Sequence, residues 1–439
     1  MSTSKVLASE SSVFSRFLDL AYPNVERGEG VRLYLTDGTE ILDACSGGAM
    51  VACLGHGVHE IADAAAAQAE QLAYYYNHFF TSEPQERLAE RLLEIAAPEM
   101  ARVRFVSGGS EANETMLRLV RQYHVDRGEP ERWRFISPAQ AYHGATMGTL
   151  GLTGRPGLQR PFENYLAPHL HTPRAALEDL DRRIEEAGPD TIAAFLCEPV
   201  SAAARPAWSP EPEFWEGLAE RRERYGFLIC FDEIVSGMGR TGTWFAYQQL
   251  PLEPDVLSAG KGLGAGYFPL AAVLCQEHVY DALANGSREF EHGHTWDGAP
   301  LSCAVGLAVL DRIMRERLVE RVRERGPRLR DELEDTVCGL ALVREVRGHG
   351  FLLGVELVDP RDGESLLPPE VDVAELVDQI AYEHGVLVTS SHSSPDGLAP
   401  DQTLLAPAYT ATDEELARML ERFATALAEV EARVREQLG

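Results

Sequence analysis

The chain has 439 residues, enough for two or three lobes around a large core, and its 45% apolar and 25% charged composition is that of an ordinary globular protein. A formal net charge of −29 weighs against nucleic acid or an anionic membrane as partner, because phosphates are held by clustered Lys and Arg that such a surface lacks. Seven scattered cysteines without CxxC or zinc-type spacing, and the lack of any apolar run of membrane-spanning length, lead us to expect reduced thiols in a cytoplasmic protein without a structural metal.

In chain order, the first fourteen residues, MSTSKVLASESSVF, carry no apolar signal core, and VRLYLTDGTEILDA (31–44) reads as strands. From about 100 to 320 short β-type runs alternate with amphipathic segments. RVRFVS (102–107), RFISP (134–138), AAFLCEP (193–199), LICFDE (228–233), DVLSAG (255–260) and LAAVLCQ (270–276) read as strands. SEANETMLRLVRQYH (110–124) reads as a helix with Ala112, Met116, Leu119 and Tyr123 on one face. This order predicts a parallel sheet covered by helices.

Beyond 320 the texture changes. An Arg/Glu-rich helix over 315–335 is expected to lead into antiparallel apolar runs around Gly348, Gly350 and Gly354. Loops at DPRDGESLLPPE and at SSPDGLAPDQ (393–402) precede a last helix over 412–437. The expected organisation is an N-terminal segment 1–60 contributing to a small α+β domain, a large domain 61–320, and a C-terminal small domain 321–439.

In open α/β sheets ligands collect beyond the carboxyl ends of strands, and four such places carry reactive residues. In SGGSEANE (107–114), Gly108, Gly109 and Ser110 lead into a helix whose free N–H groups suit a phosphate, although the same residues also serve as ordinary caps. Asp232 ends a very apolar strand, where a carboxylate needs a cation or strong donors. Glu198 closes AAFLCEP, as a structural hydrogen-bonding group or a substrate contact. Lys261 follows DVLSAG, and of the forty basic residues only Lys5 and Lys261 are lysines, the other thirty-eight being arginine. A desolvated amine can lose its proton and act as a nucleophile, which a guanidinium cannot do.

Pyridoxal phosphate requires a phosphate cup, a lysine and a carboxylate beside its ring nitrogen, and so accounts for Gly109/Ser110, Lys261 and Asp232 together. Other readings fail on the same residues. A Walker loop would need glycine and Ser/Thr where Asp255 and Gly262 stand, SGGSEAN lacks the third glycine of a dinucleotide fingerprint, and neither HExxH nor GxSxG occurs.

These residues lie in motifs that closely resemble the class III, or ornithine/GABA-type, pyridoxal-phosphate-dependent aminotransferases. The motifs are SGGSEANE, AYHGATMGTL (141–150), EPV (198–200), FDEIVSGMGRTG (231–242), SAGKGLGAGYFPLAAVL (258–274) and HTWDGAPLSCAVGLAVL (294–310). The resemblance implies an α/β protein of fold type I, with a mostly parallel seven-stranded sheet and a smaller α+β domain, acting as a homodimer with shared sites. It further implies that Lys261 is the Schiff-base lysine and proton carrier, and that Asp232 pairs with the pyridine nitrogen. Gly109 and Ser110 would hold the phosphate, with Thr295 reaching it from the neighbouring subunit. Tyr142, with His143 beside it, and Ile234 would cover the two faces of the ring.

Two departures bear on substrate. Where many members that act on α-amino acids carry an arginine and a mobile glutamate, this chain has Leu404 and Ala203. The usual α-carboxylate clamp is missing, with Arg205 a candidate replacement. The expected reaction is therefore transamination between an amino donor and a carbonyl acceptor, the donor being an ω-amino acid, an amine or a specialised metabolite. The aromatic run YYYNHFFTSEP (74–84) and Trp208 are candidates for lining its pocket. An aminomutase or epimerase, or a non-catalytic binder of the cofactor, would share the same motifs.

Overall fold

The computed structural model describes residues 5–173, 176–394 and 399–439, so the loop expected over 393–402 lies partly outside the described residues, as do the first four. Its centre is a seven-stranded sheet whose strands run, edge to edge, Met100–Val106, Ala271–Gln276, Val256–Ala259, Leu228–Glu233, Ile192–Cys197, Arg134–Pro138 and Leu170–Thr172. Leu228–Glu233 is parallel to both neighbours, whereas Ala271–Gln276 is antiparallel to both of its own. The sheet is thus mostly parallel with a single reversed strand. Its inner strands are apolar runs because both faces are covered, as buried parallel sheets require.

On one face, helix Gly109–Asp126 lays Ala112, Met116, Leu119, Val120 and Tyr123 against Val106, Leu196, Cys230 and Val273. On the other, helices Leu177–Ala187 and Pro212–Tyr225 bury Leu180, Ile184, Trp215 and Leu218 against Phe195, Ile229 and Phe231. Each follows a 3.6-residue apolar period, which is what commits it to a sheet face.

A second core gathers both ends of the chain. Strands Val25–Glu29, Arg32–Leu35 and Glu40–Asp43 form one sheet with Val386–Leu387, while Val343–His349, Leu352–Leu357, Asp401–Leu405 and Thr389–Ser391 form an antiparallel sheet. Helix Asp413–Leu438 closes over them. It starts at a capping box in which Thr412 accepts the N–H of Glu415 and Glu415 accepts that of Thr412.

One local expectation needs correction, and one strand went unread in the sequence. The helix read over 315–335 is the end of one helix, Pro300–Arg315, and most of another, Leu318–Val337, because Arg317 takes a left-handed φ of 51° that breaks the run. The edge strand Leu170–Thr172 escaped the pattern because it is three residues long and carries His171. Of the seven cysteines, six are buried free thiols and Cys338 is exposed.

Candidate active site

The topology brings the site together. Leu228–Glu233, Ile192–Cys197 and Val256–Ala259 run in parallel, so Asp232, Glu198 and Lys261 emerge at one edge of the sheet. Met100–Val106 points the same way, two strands beyond Val256–Ala259, and delivers Ser107 to Ser110 there as the start of helix Gly109–Asp126. This is the edge at which open α/β sheets bind ligands.

Asp232 is buried, and donors fix its carboxylate. Its Oδ2 accepts from Asn113 Nδ2 at 2.7 Å and faces His143 Nδ1 at 2.9 Å, while Oδ1 accepts the N–H of Ile234 at 3.1 Å. A carboxylate has capacity for about four such bonds, so this arrangement leaves room for one more donor. Asn113 is itself held, donating to His143 O at 2.8 Å and accepting from Ser258 Oγ at 2.7 Å. His143 is buried, with its backbone N–H on Thr153 Oγ1 at 3.0 Å. The His143 Nε2 and Ser107 Oγ atoms are shielded from solvent and have no hydrogen-bond partner among the described residues.

Lys261 opens a short 3-10 turn directly after the strand end with φ 42°, in the left-handed region. Burial pushes its ammonium below the ordinary lysine range, against the opposing pull of Asp232 and then Glu198. The carboxyl of Glu198 is itself pushed up to about 7 by burial. Of its neighbours, His143 acts to lower it, the charge of Asp232 to raise it, and the N–H groups of Ala202 and Tyr142 to lower it. Its Oε1 accepts from Ala202 N at 3.2 Å and its Oε2 from Tyr142 N at 3.4 Å, which ties Tyr142 to the same edge.

Ile234 explains two of the glycines. A Cβ on Gly109 would stand 3.0 Å from Ile234 Cγ2, and one on Gly260 would stand 2.9 Å from Ile234 Cδ1. The isoleucine is wedged between the helix start and the lysine turn. By contrast, a Cβ on Gly108 would meet nothing within 4 Å, so the helix start borders open space. Ser110 Oγ accepts the N–H of Ala145 at 3.1 Å.

Lys261, Asp232, Glu198, Gly109, Ser110, Tyr142, His143 and Ile234 are therefore neighbours. Thr295 is not among them: it is exposed on a segment pinned to helix Gly109–Asp126 through Thr115 and His292, 2.8 Å apart. The aromatic run at 74–84 is also at the surface, with Tyr74, Tyr76, Phe79 and Phe80 exposed and Tyr74 edge-on to Trp296 at 5.9 Å. Arg205 stacks over Trp208 at 4.2 Å. Leu404 is buried among Cys45, Met50, Val200 and Ala202.

Sequence reasoning missed Asn113 and Ser258. Asn113 lies one helical turn after Gly109 within SGGSEAN, and Ser258 is the register partner of Asp232 on the next strand. The turn spacing and the strand alignment were the available signals.

A mostly parallel sheet carrying a desolvated lysine, a donor-fixed aspartate and an open glycine-rich helix start on one edge defines a pyridoxal-phosphate enzyme of fold type I. The class III aminotransferase family model matches residues 17–427, and the chain belongs to that family.

Among relatives, it is 35% identical over 419 residues to an uncharacterized aminotransferase of Schizosaccharomyces pombe, covering 91% of each chain. It is 31% identical over 435 residues to gamma aminobutyrate transaminase 3 of Solanum lycopersicum, covering 94% of this chain and 82% of that one. Among solved structures it resembles the omega transaminase from Pseudomonas jessenii in complex with PMP. There the TM-score is 0.88 and the identity 31%, over 95% of this chain and 94% of that one.

The protein is a pyridoxal-phosphate-dependent aminotransferase. Its residues fit the cofactor: a carboxylate with a free acceptor position, a lysine below its usual pKa, orphaned polar atoms at Ser107 and His143, and open space at Gly108.

Proposed function

We propose that this aminotransferase takes its amino group from a donor whose reacting carbon bears no α-carboxylate. The observation supporting this is the fate of the missing clamp: Leu404 is packed into an apolar cluster with Val200 and Ala202, so the clamp's own position offers no charge. The gamma aminobutyrate and omega transaminases among its relatives point the same way.

When bound, pyridoxal phosphate supplies an electron sink that takes up the charge developing on the substrate carbon. In our reading Lys261 Nζ would hold the cofactor and, once released as a neutral amine, would carry the proton from the substrate carbon and return it. Asp232 would keep the ring nitrogen protonated, with Asn113 and His143 orienting its carboxylate. Gly109, Ser110 and the helix N–H groups would take the phosphate, joined by Thr295 of the neighbouring subunit, and Tyr142 and Ile234 would enclose the ring. Glu198 would act beside Tyr142 as part of the same wall.

A homodimer is part of this reading, supported by the exposure of the large apolar side chains Phe14, Phe79, Phe80 and Trp296. So are a division into 1–60, 61–320 and 321–439 and, from the free thiols, a cytoplasmic setting.

The test is a donor panel followed by the conversion of the bound aldehyde form to its amine form. ω-Amino acids or primary amines should convert the cofactor more efficiently than α-amino acids, and a strict preference for α-amino acids would overturn the substrate reading. Replacing Lys261 with Ala should lower turnover by at least about 100-fold. Wild-type turnover in that variant would remove the assignment.

A further inference from the structure

Between strand Val256–Ala259 and helix Gly109–Asp126 lies a largely apolar layer in which Val256, Cys230 and Val273 meet Ala112 and Met116. Ser258 and Asn113 are polar members of it. Both are buried, and Ser258 Oγ donates to Asn113 Oδ1 at 2.7 Å. A buried hydroxyl and a buried amide are costly unless bonded, so the bond explains how the pair is tolerated. It does not explain why the pair is there, since two apolar side chains of similar shape would fill the layer without that cost.

The other side of the amide faces the active site. The two hydrogens of Asn113 Nδ2 go to Asp232 Oδ2 at 2.7 Å and His143 O at 2.8 Å. Both partners are acceptors, so a half-turn of the amide would set oxygen against oxygen twice, and its orientation is fixed. His143 Nδ1 stands 2.9 Å from the same Oδ2, whereas among the described residues Oδ1 accepts the N–H of Ile234 alone. A carboxylate oxygen takes about two hydrogen bonds, so the open acceptor position of Asp232 lies on Oδ1.

Ser258 is the register partner of Asp232 on the neighbouring strand, yet among the described residues its hydroxyl bonds to Asn113 and to no atom of Asp232. Its action is on the amide. It holds Asn113 at the end away from the carboxylate, and a donor on the amide oxygen polarises the N–H groups so that they donate more strongly. Without the hydroxyl, a buried Oδ1 would be left unmatched and the amide would gain by turning towards another donor. Asp232 Oδ2 would then be freed, and the carboxylate would no longer present one chosen oxygen.

We propose that Ser258 is a positioning residue for the cofactor: acting through Asn113, its hydroxyl keeps Asp232 Oδ1 as the oxygen that meets the ring nitrogen. This rests on the pairing of Asp232 with that nitrogen put forward above and adds the group that aims it.

The readout is binding, not turnover. Pyridoxamine 5′-phosphate, the amine form of the cofactor, and its 1-deaza analogue, which carries C–H in place of the ring nitrogen, differ at the one ring atom that Asp232 would meet. Their dissociation constants are measured by equilibrium dialysis on the full chain freed of cofactor. The wild type should bind the natural form more tightly. Ser258→Ala should weaken pyridoxamine phosphate by about 3- to 10-fold and leave the deaza analogue within about 2-fold of the wild type, as loss of one buried hydrogen bond acting on that contact implies. Ser258→Thr, which keeps the hydroxyl, should retain most of the wild-type ratio. Asn113→Ala should lower the ratio too, and adding Ser258→Ala to it should lower the ratio no further. Because the two ligands are compared on the same variant, a general loosening of the fold cancels in the ratio.

Equal weakening of both ligands in Ser258→Ala, or weakening of neither, would overturn the proposal and leave the pairing of Asp232 with the ring nitrogen standing. So would a ratio that falls as far in Ser258→Thr as in Ser258→Ala, or a full further fall on the Asn113→Ala background. A wild type that binds the two ligands equally would remove the pairing itself, and this inference with it.

Discussion

At the scale of single residues, the site is a set of buried polar groups whose ionisation follows from their neighbours. Asp232 carries three donors, so its charge is tolerated inside the sheet edge, and Lys261 loses proton affinity because burial outweighs the two acids near it. Glu198 gives the clearest consequence. Its folded pKa of about 7 lies above its usual 4.5, so the folded state binds this proton more tightly than the unfolded chain does. The stability it contributes is fully present below about pH 4.5 and is lost as pH rises through 7, by up to about 3 kcal/mol. Urea midpoints of the cofactor-free protein between pH 5 and pH 8 should therefore fall more steeply for the wild type than for Glu198→Gln; parallel curves would contradict this.

Among elements, the strand Leu228–Glu233 does two jobs with adjacent acids that face opposite sides of the sheet. Asp232 serves the site, while Glu233, fully buried, organises the chain that follows. Glu233 Oε2 accepts from Ala246 N at 2.7 Å and Ser236 Oγ at 3.0 Å, and Oε1 accepts from Tyr247 N at 2.8 Å. An amide cannot accept on both ends. Glu233→Gln should destabilise the protein by about 1–3 kcal/mol, read by chemical denaturation, because it leaves a buried donor unmatched.

The same scale shows what periodicity conveys. The inner strands were legible because each is an apolar run of strand length bounded by Gly, Pro or charge. The reversed direction of Ala271–Gln276 was not, since antiparallel and parallel buried strands have the same composition. The break at Arg317 was equally hidden, because nothing in an Arg/Glu-rich stretch signals a left-handed residue.

In the whole molecule, two cores meet across helix Pro300–Arg315, which sends Val305, Val309 and Ile313 into one and Cys303, Leu307 and Leu310 into the other. Arg240 is the polar counterpart of that bridge. Fully buried, it donates to Pro407 O at 2.6 Å, Phe351 O at 3.1 Å and Ser46 Oγ at 3.1 Å, and it stacks over Tyr409 at 4.7 Å. It therefore ties the loop after Leu228–Glu233 to segments from both ends of the chain. Arg240→Met should cost about 1–3 kcal/mol, because it leaves buried carbonyl acceptors without their donor, and a denaturation midpoint within error of the wild type would refute this role.

The sequence by itself determined the fold class and the principal chemistry. Apolar runs and helical periods dictate a helix-covered sheet, and a lysine kept where nearly every other cation is arginine, with Asp232 and the glycines before Ser110, restricts the cofactor to one. Only the tertiary structure decided which side chains support those residues. Asn113 reaches Asp232 from one turn into the helix, and Ser258, on the neighbouring strand, holds Asn113 in place. Hydrogen bonds and ion pairs depend on distances between chain segments far apart in order, and those distances are set by packing that local pattern does not encode.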